Sequence, residues 1–276
     1  MTEDNAEQEA IDDEHAIQKV EGLSPKLIFE VIRREGIEEL ERPNNSLMWS
    51  GVAAGIMISL SVLGEAIFRT YLPADANWTY LVENLGYSLG FLVVILGRMQ
   101  LFTENTITTV LPAMQTPTRA MFIRVASLWG IVLAANVVGA FAVALLFAHT
   151  SAIPSDLLPA IQELSEHATG FPAFEAFQRA IPAGVLVAAI VWMLPESEGF
   201  GFFVILLFTW LIAARDFTHI VAGSVEMAFL MVQGLLSLPD ALFGFFIPVL
   251  AGNILGGTMI FALLAFGQVH RELPDA

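Results

Sequence analysis

Two apolar stretches of this chain are longer than their apparent task allows. Residues 85–114 and 199–236 each exceed the roughly 20 apolar residues that carry an α-helix across a hydrocarbon core about 30 Å thick. Each is also broken near its middle by polar side chains, "GRMQLFTENT" in the first and "ARDFTHI" in the second. Tilting a long helix absorbs extra length, but it gives no reason for a polar cluster at the midpoint. Two half-helices joined by a loop do give one, because irregular backbone at membrane depth is tolerated where protein buries it or where it lines a cavity. Further apolar runs lie at 47–68, 120–148, 180–194 and 241–268. The expected fold is therefore an all-α polytopic membrane protein with six transmembrane elements, the second and fifth broken.

The chain also repeats itself. Phe102-Thr103 recurs as Phe217-Thr218, and Asn136 in "AANVVGA" recurs as Asn253 in "AGNILGG". The two spacings are nearly equal, and the element order around them is the same. Each half has three spans, an odd number, so the second half lies upside down relative to the first. Inverted repeats whose broken helices meet near the midplane form a transporter architecture. Repeat one is expected over 47–148 and repeat two over 180–268, joined by a partly helical external connection at 151–179, within a six-span domain at 47–270. Residues 271–276 form a short C-terminal tail.

Ahead of the spans, residues 1–23 read as an acidic, disordered tail. Residues 24–46 read as an amphipathic cytoplasmic helix, with Ser24 placed to cap and Pro25 suited to the first turn. Its apolar face, Leu27, Ile28, Val31, Ile32, Ile37 and Leu40, fits either the membrane surface or the protein's own body. No signal-peptide pattern precedes the first span, which is expected to enter the membrane itself. Arg33, Arg34, Arg42, Arg119, Arg124 and Arg271 fall on one side and only Arg69 and Arg179 on the other, which puts both termini in the cytoplasm. The expected location is the plasma membrane, a bacterial inner membrane.

Composition excludes several classes. There is no cysteine, hence no disulfide and no thiolate metal site. A net charge of -16 leaves no basic footprint for nucleic acid. No nucleotide loop, nucleophile motif or metal-ligand spacing stands out, since His15, His149, His167 and His270 are scattered. An enzyme, a cofactor and a bound metal are not expected.

At "FIPVLAGNILGG" (246–257), "LFT" (101–103), "FTHIVAG" (217–223), "WGIVLAANVVGA" and "FEAFQRAIPAGVLVAAIVWM" the chain resembles the formate/nitrite transporter family, from about Ser24 to Phe266. The resemblance implies an aquaporin-like fold, assembled in membrane lipid as a homopentamer with one pore per protomer. It implies passage of small monovalent weak-acid anions: formate, nitrite, acetate, lactate or hydrosulfide. By position His219 corresponds to the family's central pore histidine, and Leu101 and Thr103 to the loop residues that constrict the pore and contact it. Tyr87 falls where one apolar constriction usually has an aromatic residue, and Ile212 at the other.

Histidine suits a proton relay near neutral pH, and proton transfer would spare an anion the cost of crossing hydrocarbon charged. His219 and Thr103 are therefore the expected pore and proton-relay pair. A structural histidine bonding loop backbone is the simpler alternative. The helix starts that would aim N–H groups at the pore centre are expected near Glu104 and Ser224. Asn136 and Asn253 are expected to be structural, bonding loop backbone beside packing glycines.

The chain departs from the family at several positions. Ala168 stands where the family usually has a lysine, and Gly184 where asparagine is common. Arg98, Glu104, Arg215, Asp216 and Glu226 add charge in or near the two loops, and Glu65 adds another in the first span. These charges form either a network that pins the broken helices or a substitute anion attractor. The leading function is a channel or proton-coupled transporter for weak-acid anions. The alternatives are a non-conducting or regulatory scaffold of the same fold and a neutral-solute pore.

Overall fold

The structure, a computed structural model, describes residues 22–273. The acidic tail expected over 1–23 lies outside the described residues, apart from its last two positions. Among the described residues all regular structure is helical.

Helix α1 (Pro25–Glu41) starts where its sequence signals place it. The Ser24 hydroxyl accepts from the Leu27 N–H at 3.3 Å, and Pro25 occupies the first turn. Its buried face is Ile28, Phe29, Ile32 and Gly36, while Leu27 and Val31 are exposed. Phe29 and Ile32 pack with Ile107, Leu111 and Ala188, so the helix docks on the protein's own body. Removing each of these side chains from water contributes about 1.5–3 kcal/mol, enough to hold a surface helix in place.

The first span is α2 (Asn44–Tyr71). A short turn of helix, Thr79–Glu83, leads into α3 (Ser88–Leu96), which ends at a loop. The chain then resumes as α4 (Phe102–Thr108) and α5 (Val110–Gln115). The third span is α6 (Arg119–His149). The connection carries α7 (Leu158–Thr169), and the fourth span is α8 (Ala173–Met193). The fifth element is broken into α9 (Gly201–Ala214) and α10 (Ile220–Val232). The sixth is α11 (Asp240–Val269), which contains two widened π-helical segments, Asp240–Phe246 and Leu255–Ala262. Two inverted three-span repeats with spans two and five broken are thus the architecture of the chain.

In each half the outer spans touch through backbone. A Cβ added at Gly55 of α2 would collide with the Asn136 carbonyl of α6, and one at Gly184 of α8 with the Asn253 carbonyl of α11. This is why Gly184 tolerates no larger residue in this chain. Small residues permit that approach where lipid supplies no hydrophobic drive to associate.

Candidate functional site

The two loops are held by one device used twice. The Asn136 carboxamide oxygen accepts from the Phe102 N–H at 3.0 Å, and its Nδ2 donates to the Gln100 and Gly51 carbonyls, both at 2.8 Å. Asn253 accepts from the Ile220 N–H at 2.8 Å and donates to the Thr218 carbonyl at 3.0 Å and the Ala180 carbonyl at 2.8 Å. A buried backbone group left unpaired costs about 1–3 kcal/mol, so each asparagine satisfies what the break exposes.

These bonds fix the internal register. Phe102 corresponds to Ile220 and Leu101 to His219. The Phe-Thr dipeptides that suggested the repeat are three residues out of structural register. The true correspondence has a backbone signature: Arg98 at φ 50° and Asp216 at φ 52° each end the preceding half-helix in the left-handed region. Met99 N–H then bonds Val94, and Phe217 N–H bonds Ile212, both at 3.0 Å. The next half-helices begin at Phe102 and Ile220, earlier than the expected Glu104 and Ser224.

Leu101 and His219 are therefore the paired N-caps, and they differ in kind. Leu101 has no side-chain capping bond. The His219 Nδ1 accepts from the Ala222 N–H at 3.3 Å, so the proton of the neutral ring sits on Nε2. That Nε2 lies 2.8 Å from Thr103 Oγ1 and donates to it. The Phe91 ring meets the imidazole edge-on with centroids 5.0 Å apart, and Tyr87 packs on Phe91 at 5.1 Å. Leu101, Thr103 and His219 are almost fully buried.

Two cavities approach this centre. One, called outer only after the orientation expected from the arginines, lies on the side of α7, is floored by Thr218 and His219 and is flanked by Tyr87, Glu65 and Glu226. Ala168 also lines it. The inner one, on the side of α1, is lined by Leu101, Glu104, Gln100 and Met99. Ile212, expected at the second constriction, is fully buried and lines neither cavity.

The loop charges do not pair with one another. Arg98 reaches Glu35 of α1 at 2.9 Å. Asp216 pairs with His167 of α7 at 2.8 Å and approaches Arg179 of α8 at 4.0 Å. Arg215 is exposed, and Arg215, Glu104 and Glu226 have no ion pair among the described residues. A network joining the broken helices is not what these residues form, because the reach of each pair is outward to the flanking helix. The sequence reading also missed Gln100 and Glu39. Gln100 Nε2 donates to Glu39 at 2.6 Å, so α1 holds the first loop. No pattern in the sequence marks that contact.

The formate/nitrite transporter family model matches residues 26–267, and the chain belongs to that family. It is accordingly an integral membrane transport protein and not an enzyme. It is 42% identical over 248 residues to the inner membrane protein YfdC of Escherichia coli, with 90% of this chain and 80% of that protein covered. It is 28% identical over 245 residues to the formate channel FocA of Haemophilus influenzae, covering 79% and 84% of the two chains. Among solved structures a pentameric formate channel with formate bound superposes with a TM-score of 0.70 at 20% identity, over 83% of this chain and 98% of the other. An ion channel of the same family superposes at 0.73 and 18% identity, over 90% and 99%. These likenesses establish the aquaporin-like fold.

Proposed function

We propose that the chain is a pore for small monovalent anions of weak acids, of the class that includes formate, nitrite, acetate, lactate and hydrosulfide. The observation that carries this reading is that one cavity ends on His219 and the other on Leu101, the paired caps of the two broken helices, with the 2.8 Å contact between Thr103 and His219 joining the two loops. The names of FocA and of the formate-bound channel favour the same solute class. His219 is the proton-relay residue and Thr103 fixes its tautomer. Tyr87 and Leu101 are the apolar narrowings on either side, and Phe91 backs the histidine; Ile212, expected at the second constriction, lines neither cavity. Asn136 and Asn253 are structural.

The protomers assemble as a homopentamer in the bacterial inner membrane with both termini cytoplasmic. The pentameric neighbour and the arginine distribution favour this arrangement. Exposed Trp49, Phe122, Phe200 and Leu264 face lipid or the neighbouring protomer.

The test is flux into proteoliposomes loaded with a pH dye and challenged with each acid in turn. Wild type acidifies the lumen with at least one of them, and His219→Ala does not. Silence across the panel from a well-folded protein would favour the scaffold reading. Unchanged flux in His219→Ala would remove the relay role.

A further inference from the structure

The outer cavity has a charge pattern that an anion pore does not need. Glu65 of α2 and Glu226 of α10 are each only 6% exposed, and both line it. Their helices pack against each other. Tyr87, 7% exposed, lines the same space. Neither carboxylate nor the Tyr87 hydroxyl has a hydrogen-bond or ion-pair partner among the described residues. Yet no enclosed side-chain oxygen is left unpaired, so these oxygens open onto the cavity.

The surrounding charges are already committed. Arg69 of α2 bonds Glu83 at 2.6 Å, and Asp216 is taken by His167 and Arg179. Glu163 of α7 stands at the rim, and Tyr80 donates to the Ala214 carbonyl at 3.1 Å. The third span, α6, packed on α10, gives the cavity no titratable side chain among the described residues. The sixth contributes Phe245, and the floor is His219, neutral by its own hydrogen bonds.

Besides the neutral His219, the bases lining the cavity among the described residues are Arg69 and His167, each bonded to another carboxylate, so two desolvated carboxylates in it favour a further positive charge between them. The family lysine that would supply a fixed one is replaced by Ala168. We propose that Glu65 and Glu226 together hold a single proton and are the first donor to an incoming weak-acid anion, ahead of His219, whose relay role is then confined to the constriction itself. This rests on the pore reading above. In the step, the carboxyl O–H bond breaks and a new O–H bond forms on the anion. The neutral acid moves inward, and the pair, now doubly negative, takes back a proton from outside water. No electrons change hands. The Tyr87 hydroxyl donates to the anion while the proton moves. A fixed lysine attracts any anion, whereas this pair admits only one basic enough to take the proton.

The test uses full-length protein in two measurements. Infrared pH-difference spectra of wild type read the carbonyl band of a protonated carboxyl at neutral pH. Glu65→Gln and Glu226→Gln each remove or shift that band, while Glu166→Gln, on the exposed face of α7, leaves it. In proteoliposomes each glutamine variant lowers weak-acid uptake about a hundredfold or more, the scale of a lost proton donor, with unchanged elution on size exclusion. Absence of a protonated-carboxyl band in wild type overturns the proposal, as does a double variant with wild-type uptake. Ammonium raising the wild-type Tm, without any such band, would also overturn it and assign the pair to a cation. The infrared result stands without flux, so failure of the pore reading, seen as silence in wild type, is distinguishable from failure of the pair.

Discussion

In the first half of the molecule, Arg98 ends a half-helix at φ 50° and reaches Glu35 of the helix before the repeat. In the second half, Asp216 ends a half-helix at φ 52° and reaches His167 of the helix before that repeat. The backbone, the asparagine clamp and the outward tether are the same, and the tether's charges are exchanged. The caps differ more: an apolar Leu101 against a hydrogen-bonded His219. What the halves share is therefore scaffold, and what they do not share is where the proposed solute chemistry is to be tested. The same comparison separates the cavities, since α1 lines the inner one and α7 the outer one.

The largest expected effect tests the shared part. Asn136→Ala and Asn253→Ala each strand one N–H and one loop carbonyl, that of Gln100 or Thr218, in the membrane interior, and remove a second bond to the helical Gly51 or Ala180 carbonyl. At about 1–3 kcal/mol per stranded buried group, each should cost several kcal/mol and abolish a monodisperse peak on size exclusion. Equal damage from both would support equivalent halves. If one variant behaves as wild type, its loop is held by something else.

The caps come next. His219→Leu makes the second cap resemble the first. It should abolish acid-driven flux while costing only about 0.5–2 kcal/mol of stability, the range for a lost N-cap. Leu101→His should not restore flux in that background, because Thr103 lies after Leu101 in the chain and meets a histidine only from the other loop. Restored flux would show that the pore does not distinguish its two ends. Thr103→Val, which removes the acceptor for Nε2–H, should slow flux with little change in Tm.

Smaller effects are expected where the tethers begin. A non-glycine residue in the left-handed region costs roughly 1–2 kcal/mol. Arg98→Gly gives that back and loses only an ion pair whose arginine is 83% exposed, worth about 0–1 kcal/mol. It should leave Tm unchanged or raise it by a few degrees. Asp216→Gly gains less relief, since aspartate enters that region more readily than arginine, and loses contacts to both His167 and Arg179, so it should rise less. Equal rises would mean the second tether is no stronger than the first.

How much of this could be read from the sequence follows from what each feature depends on. The spans, the two breaks and the inversion were legible because hydropathy and polar interruptions are written residue by residue. The register was not, because Leu101 and His219 share no chemistry and the left-handed Arg98 and Asp216 are not glycines. A similar-looking Phe-Thr pair took their place. The docking of α1 was equally open, since Leu27 and Val31 belong to the same apolar stripe as Ile32 yet end exposed. Which partner each loop charge takes depended on side-chain reach across helices, and spacing does not encode that.

The smallest expected effect lies on α1, whose dock has to hold if it is to tether the first loop. Glu30 accepts from Arg33 at 2.7 Å and from Arg34 at 2.7 Å, and the Arg33 guanidinium holds its carboxyl down at about 2 from the ordinary 4.5. A carboxyl lowered by folding stabilises the folded state above pH about 4.5, and that contribution drains away as pH falls toward about 2. Because the half-buried carboxylate and its arginines still meet solvent, screening limits it to a few tenths of a kcal/mol. Glu30→Gln should therefore lower Tm by about a degree at pH 7, and the gap to wild type should shrink below pH about 4.5 and nearly close by pH about 2. A gap undiminished at pH about 2 would assign the loss to packing of α1 and not to its charge. The first loop would then depend on the Phe29 and Ile32 contacts rather than on the ion pair beside them.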